Sequence, residues 1–262
     1  MAYLSPSLTL IIGAVKKAAV AMARDFNELE HLQTSVHNDG KFALRSYEKV
    51  KKTLYEELTK IKPNFAFISE STDSLPASGN YFAVNAVDGL ANFGHGNTRF
   101  AMSVAMVENN VVLCAVIYNP ITDEMFFAEK GAGAFKEGFR SHERLRVAGN
   151  KNIERALFAC GAEAGLVQKA LSVSPNLNVS GSVALDLAYL AAGKIDIAVA
   201  IGTSLTTLAA GMLLVKEAGG YIVAMGETDV RSEDLQKVLL GGDIIATNEA
   251  LRKKVADLFA KV

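Results

Sequence analysis

The chain has 262 residues, 50% of them hydrophobic, and its 27 Lys and Arg against 28 Asp and Glu leave a formal net charge of −1. That length and apolar content exclude a disordered chain and supply enough surface for a sizeable core. The near-zero charge excludes a protein that holds nucleic acid through bulk electrostatics.

The N-terminal run MAYLSPSLTLIIGAVKKAAV carries its charges after a short apolar stretch, the reverse of an export signal, and no membrane segment is read there. Ser5 followed by Pro6 reads as an N-cap with proline at the first helical position. Leu8, Ile11, Ile12, Val15, Ala19 and Met22 recur at helical spacing, which predicts an amphipathic core helix. The polar stretch from His37 to Lys41 reads as a loop or hairpin tip, with His37 and Asp39 solvated. A second helix is expected from about Ala43 to Ile61, with Tyr47, Val50, Leu54, Leu58 and Ile61 as its apolar stripe and Pro63 as its stop. FAFIS and YFAVNAV then read as strands. AMSVAMVE and VVLCAVIY are two more, joined by a tight turn at Asn109-Asn110. EMFFAEK is a further strand and GAGAFKEG turns back. The first half, residues 1–140, is therefore expected to set two helices against an antiparallel, meandering sheet.

The pattern changes around Ser141 to Lys151, where Arg140, His142, Arg144 and Arg146 form a small basic run read as a solvated face. Strand-like ALFAC, helix-like EAGLVQKALS, the helix VALDLAYLAAG opened by Gly181-Ser182, strand IDIAVAI, helix SLTTLAAGMLLVKEAGG and strands YIVAM and DIIAT follow. Asn248 caps a last helix. Residues 141–262 thus read as a layered α/β half, packed with the first into one unit. Cys114 and Cys160 sit in apolar runs and read as buried reduced thiols, which fits a cytoplasmic protein.

The chemistry-bearing stretch is FAVNAVDGLANF, Phe82 to Phe93. Asp88 falls where a strand ends and a helix begins, so backbone N–H groups there favour an anion such as phosphate. A carboxylate at that point suits Mg²⁺, a hard cation that shares phosphate oxygens. Glu70, after FAFIS, is placed to reach the same point. By itself a D-G pair is more often a turn than a metal site.

These residues resemble the inositol monophosphatase family of Mg²⁺-dependent phosphatases, whose W-x-x-D-P-I-D-G-T-x-N-F is matched by FAVNAVDGLANF. Ser69-Glu70-Ser71 matches the family's G-E-E, and IYNPITDEMFFAEKGAGAF, GSVALDLAYLAAG and AAGMLLVKEAGG match three further motifs in order along essentially the whole chain. The resemblance implies a layered αβαβα sandwich, hydrolysis of inositol monophosphate or a related sugar phosphate, and a homodimer. It also assigns positions. Glu70, Asn85, the carbonyl of Val87, Asp88 and Thr207 fall on metal ligands, with Asn85 and Thr207 standing where the family has Asp. Gly89, Leu90, Ala91, Gly181, Ser182 and Ala200 fall on phosphate or substrate contacts, Ala200 in place of a Glu. Leu90 and Tyr47 stand where a Thr and an Asp would orient the attacking water.

Two-metal hydrolysis clamps the attacking and leaving oxygens between ions about 3.5–4 Å apart. Glu70 and Asp88 alone offset two such ions poorly, so one loosely held Mg²⁺ at most is expected, with low or absent turnover. The other reading is a non-catalytic member. Some bacterial proteins of this family, of the extragenic-suppressor type, assist transcription and ribosomal RNA synthesis through protein partners. Asn85, Leu90, Ala200 and Thr207 favour that reading.

Overall fold

The computed structural model describes residues 4–32, 39–69, 75–226 and 241–260; Glu70 and His37 lie outside the described residues. Helix α1 (Pro6–Leu32) starts as Ser5 and Pro6 predict, with the Ser5 hydroxyl accepting the Leu8 N–H at 3.2 Å. By length and composition α1 is apolar enough to cross a membrane. Its stripe of Leu8, Ile11, Val15, Met22, Phe26 and Leu29 is buried, packed with helix α2 (Asp39–Ile61) against a sheet. Helix α2 begins four residues earlier than its hydrophobic stripe suggests, at Asp39 instead of Ala43.

Strands β1 (Ala66–Ile68), β2 (Tyr81–Asp88), β3 (Ala101–Glu108), β4 (Val111–Asn119), β5 (Glu124–Glu129), β6 (Gly133–Lys136) and β7 (Glu143–Arg144) form a seven-stranded sheet whose spatial order is the chain order. From β2 onward the pairing is antiparallel, as the meander predicts. The β1–β2 pair departs from that expectation and is parallel. The β3–β4 turn places Asn109 and Asn110 at φ 51° and 61°, the left-handed conformation of a tight hairpin that asparagine tolerates.

A five-stranded sheet follows, ordered β11-β12-β10-β8-β9, from β8 (Phe158–Cys160), β9 (Leu177–Asn178), β10 (Ile197–Ala200), β11 (Tyr221–Ala224) and β12 (Ile244–Thr247). Its helices are α4 (Ala164–Val173), α5 (Val183–Ala191), α6 (Leu205–Glu217) and α7 (Arg252–Phe259), while α3 (Leu90–Gly94) is a short helix after β2. Asn248 accepts the Leu251 N–H at 3.0 Å just ahead of α7.

Three apolar cores define five layers. Helices α1 and α2 cover one face of the first sheet. Helices α5 and α6 fill the space between the sheets. Helices α4 and α7 cover the far face of the second sheet. The architecture is the αβαβα sandwich expected. Cys114 and Cys160 are free and buried, and burial pushes their thiols up to about 12 and about 11, which makes them inert.

Candidate functional site

Along β2, side chains alternate between the two faces: Phe82 and Val84 enter the α1/α2 core, while Tyr81 and Ala83 enter the middle core. The register with β3 slips between Asn85 and Asp88, where Asn85 pairs with Ser103 and Asp88 with Ala101. This is a bulge with one extra residue. Ala86 and Val87 therefore both point into the α1/α2 core. Asn85 and Asp88, three residues apart, are left together on the opposite side, facing α5 and α6. Gly89 then turns the chain at φ 87°, and a Cβ there would meet the Arg99 carbonyl oxygen at 2.8 Å, so only glycine fits.

Asp88 is buried and surrounded by donors. Its Oδ1 accepts from Asn85 Nδ2 at 3.2 Å and from the Thr207 hydroxyl at 3.4 Å. Its Oδ2 accepts from the Ser182 hydroxyl at 2.6 Å and from the Ala184 N–H at 2.8 Å. Asn85 Nδ2 also donates to Thr207 Oγ1 at 2.8 Å, and Asn85 Oδ1 accepts the Val87 N–H at 3.2 Å. Two helix starts supply these partners. Ser182 is the N-cap of α5, and Thr207 lies in the first turn of α6, whose N-cap is Ser204. The Ser204 hydroxyl lies 3.1 Å from that of Thr207. Burial raises the pKa of Asp88, and the hydrogen bonds from Ser182, Ala184 and Thr207 oppose that rise.

A second carboxylate lies one turn along α5. Asp186 is buried and pushed up to about 7, first by desolvation and then by the charge of Asp88, with Ser180 and Arg99 acting against the rise. Asn178 donates to it at 3.3 Å, and Arg99 donates to Asn178 at 3.2 Å. Asn92 of α3 joins the two chain segments by donating to the carbonyls of Arg99 and Ser180 at 2.7 and 2.8 Å.

The residues singled out in the sequence separate into three groups. Asn85, Val87, Asp88, Ser182 and Thr207 come together, joined by Gly181, where a Cβ would meet Asn92 Nδ2 at 2.9 Å. Gly89, Leu90 and Ala91 form the turn and first residues of α3, beside them. Ala200 is buried in the middle core at the end of β10, and Tyr47 is half-buried on α2 with the Lys51 ammonium 5.4 Å from its ring centre. Leu90 helps line an open cavity of about 400 Å³ with Gly40, Ala43, Leu44, Ala91, Gly94 and His95, and that cavity is mainly apolar. Sequence reasoning missed Ser204, Ser103 and Asn178. Ser204 carries a legible signal, a serine just ahead of a helical apolar run. Ser103, within reach of the Thr206 carbonyl at 3.4 Å, carries none.

Among the described residues no three His, Cys, Asp or Glu side chains come close enough together to hold a metal ion. Among the described residues, what stands at the end of β2 is a hydrogen-bond network between a sheet and two helix N-termini.

Comparison with known proteins agrees with this architecture. Residues 4–262 match the model of the inositol monophosphatase family. An inositol-1-monophosphatase of Mesorhizobium japonicum is 32% identical over 261 residues, covering 95% of this chain and 94% of that one. The Nus factor SuhB of Escherichia coli K12 is 28% identical over 229 residues, covering 83% and 84%. The crystal structure of the extragenic suppressor protein SuhB from Bartonella henselae superposes with a TM-score of 0.84 at 30% identity, covering 99% of this chain and all of that one. Matched from its first described residues to its C-terminus in sequence and across both sheets in structure, the chain belongs to the inositol monophosphatase family.

Proposed function

We propose that this chain is a member of its family that has given up two-metal phosphate ester hydrolysis and acts by binding. The observation that carries the reading is the set of four donors on Asp88, from Asn85, Ser182, Ala184 and Thr207. Mg²⁺ needs oxygen lone pairs turned toward it. Here Asn85 turns its NH₂ inward, and the hydroxyls of Thr207 and Ser182 point protons at the one carboxylate. The Mg²⁺ that the family resemblance implies does not fit that donor set among the described residues, which do not include Glu70. Leu90 supports the same conclusion, because a leucine has no hydroxyl with which to align a water. On this reading Gly89, Leu90 and Ala91 at the start of α3, with the Gly181-Ser182 edge, persist as a fold feature, without hydrolysis.

Relatives named as Nus factors suggest the partner class, a protein of the transcription machinery; the free buried thiols suit a reducing cytoplasm, and the family resemblance implies a homodimer. The test is phosphate release from inositol monophosphate across a Mg²⁺ series, with isothermal titration of Mg²⁺ alongside. No release above background and no saturable heat are expected. Mg²⁺-dependent release of phosphate would overturn the reading in favour of a phosphatase for inositol monophosphate or a related sugar phosphate.

A further inference from the structure

Strand β7 ends the first sheet and pairs only with β6, so the β6–β7 hairpin stands at that sheet's edge. The Asp88 network, on β2, is five strands away, about 24 Å across the sheet at the usual strand spacing. At the hairpin's tip Phe139 is 97% exposed, with the Arg140 guanidinium 5.6 Å from its ring centre. The Arg144 guanidinium lies 5.9 Å from the ring centre of Phe135 on β6. Alternation along the chain turns Leu145 into the middle core and leaves Arg144 and Arg146 exposed on the other face, about 7 Å apart. His142 ties the hairpin to the sheet, its ring edge-on to Phe127 at 4.9 Å. The acids nearby are engaged or turned away. Glu137 is held by Lys16 at 2.7 Å, and Glu124 by Lys136 and Lys194 at 2.7 and 2.9 Å. Glu143 alternates to the face opposite Arg144. Arg140, Arg144 and Arg146 make no ion pair among the described residues.

We infer that this hairpin binds single-stranded nucleic acid, with a base stacked on Phe139 and phosphates on Arg140, Arg144 and Arg146. A guanidinium is a planar fork that matches phosphate oxygens and stays charged at any working pH. Phe139 chooses among polyanions. An acidic peptide would occupy the arginines and leave the ring in water. A duplex keeps the faces of its bases stacked against each other, whereas a single strand has faces to offer an aromatic ring. The net charge of −1 gives a polyanion no general attraction to the chain, so binding is confined to this strip. The surface shares no residue with the Asp88 network. The inference therefore goes beyond the proposed loss of hydrolysis without resting on it, and Mg²⁺-dependent phosphate release would overturn that reading alone.

The experiment is fluorescence anisotropy of the full chain with labelled single strands of about 12 nucleotides, one RNA and one DNA of the same mixed sequence. Saturable binding to at least one is expected, and the tighter of the two identifies the polymer. Three arginines predict a slope of about −2 in log affinity against log salt concentration. Joint Arg144→Gln and Arg146→Gln substitution should bring that slope to about −0.7. Phe139→Ala should weaken binding about tenfold, while Phe139→Trp, which keeps a stacking face, should retain it. Phe139 is exposed, so neither change disturbs the core. Absence of saturable binding to both strands would overturn the inference. So would equal or tighter binding of the matched duplex or of an oligoglutamate of the same charge, or an affinity that Phe139→Ala leaves unchanged.

Discussion

Asp186 shows how burial at a single residue reaches the stability of the whole chain. Its carboxyl titrates near 3.8 when free and at about 7 in the folded protein. Between about pH 4 and pH 7 the folded state holds a proton that the unfolded state has released. Stability therefore falls as pH rises through that window and levels off above it, since both states are then ionised. Asp88, raised in the same direction, adds to the fall. Asp186→Asn should shrink the loss of stability between pH 4.5 and pH 7.5, measured as the urea midpoint at each pH; an unchanged difference would remove Asp186 as its source. At this scale the sequence was informative about identity and silent about geometry. Asn85, Asp88, Ser182 and Thr207 all stand out from motif positions, yet nothing in FAVNAVDG reveals the bulge that turns Asn85 and Asp88 to one side. A bulge depends on the partner strand's register, which is set by β3 and its turn.

Among the elements, α5 and α6 carry the greatest burden, because each offers its first turn to Asp88 and its apolar faces to both sheets. They approach closely at Gly211, where a Cβ would lie 2.7 Å from Leu187 Cβ. Gly211→Val should lower stability by about 1–3 kcal/mol by forcing the helices apart. A thermal unfolding series comparing the variant with the unaltered protein checks this, and an unchanged Tm would mean that the helix pair has slack. The alternation of strands and helices in the second half predicted these elements within a few residues, because their apolar runs are long and bounded by Gly181, Gly193 and Gly219. The parallel β1–β2 pair was not legible. Local patterning gives a strand's existence and leaves its direction to the segment that returns the chain.

For the whole molecule, five layers and three cores follow from elements that each bury one or both faces. The layer order came from motif resemblance and not from periodicity, because periodicity says which face is apolar and not what covers it. The site shares this dependence. Asn85 and Thr207 are hydrogen-bonded across 122 positions of chain, and Asp88 and Ser182 across 94. No local window contains both partners of either bond.

The two sheets differ in how their strands are numbered in space, and this has a consequence in time. In the first sheet each strand pairs with the one made just before it, so every pairing closes a short loop at small entropic expense. In the second, β12 is inserted between β11 and β10, although it is made after both. Pulse-labelled hydrogen exchange during refolding should protect amides of β3, β4 and β5 before those of β10 and β12, and simultaneous protection would show that the sheets form as one unit. During synthesis the order is stricter. A ribosome can release a finished first sheet early. Until Ile244–Thr247 emerges, β10 lacks that neighbour and the apolar flank of α5 and α6 has an incomplete cover. The nascent chain thus stays exposed to aggregation or proteolysis on this flank until β12 has emerged.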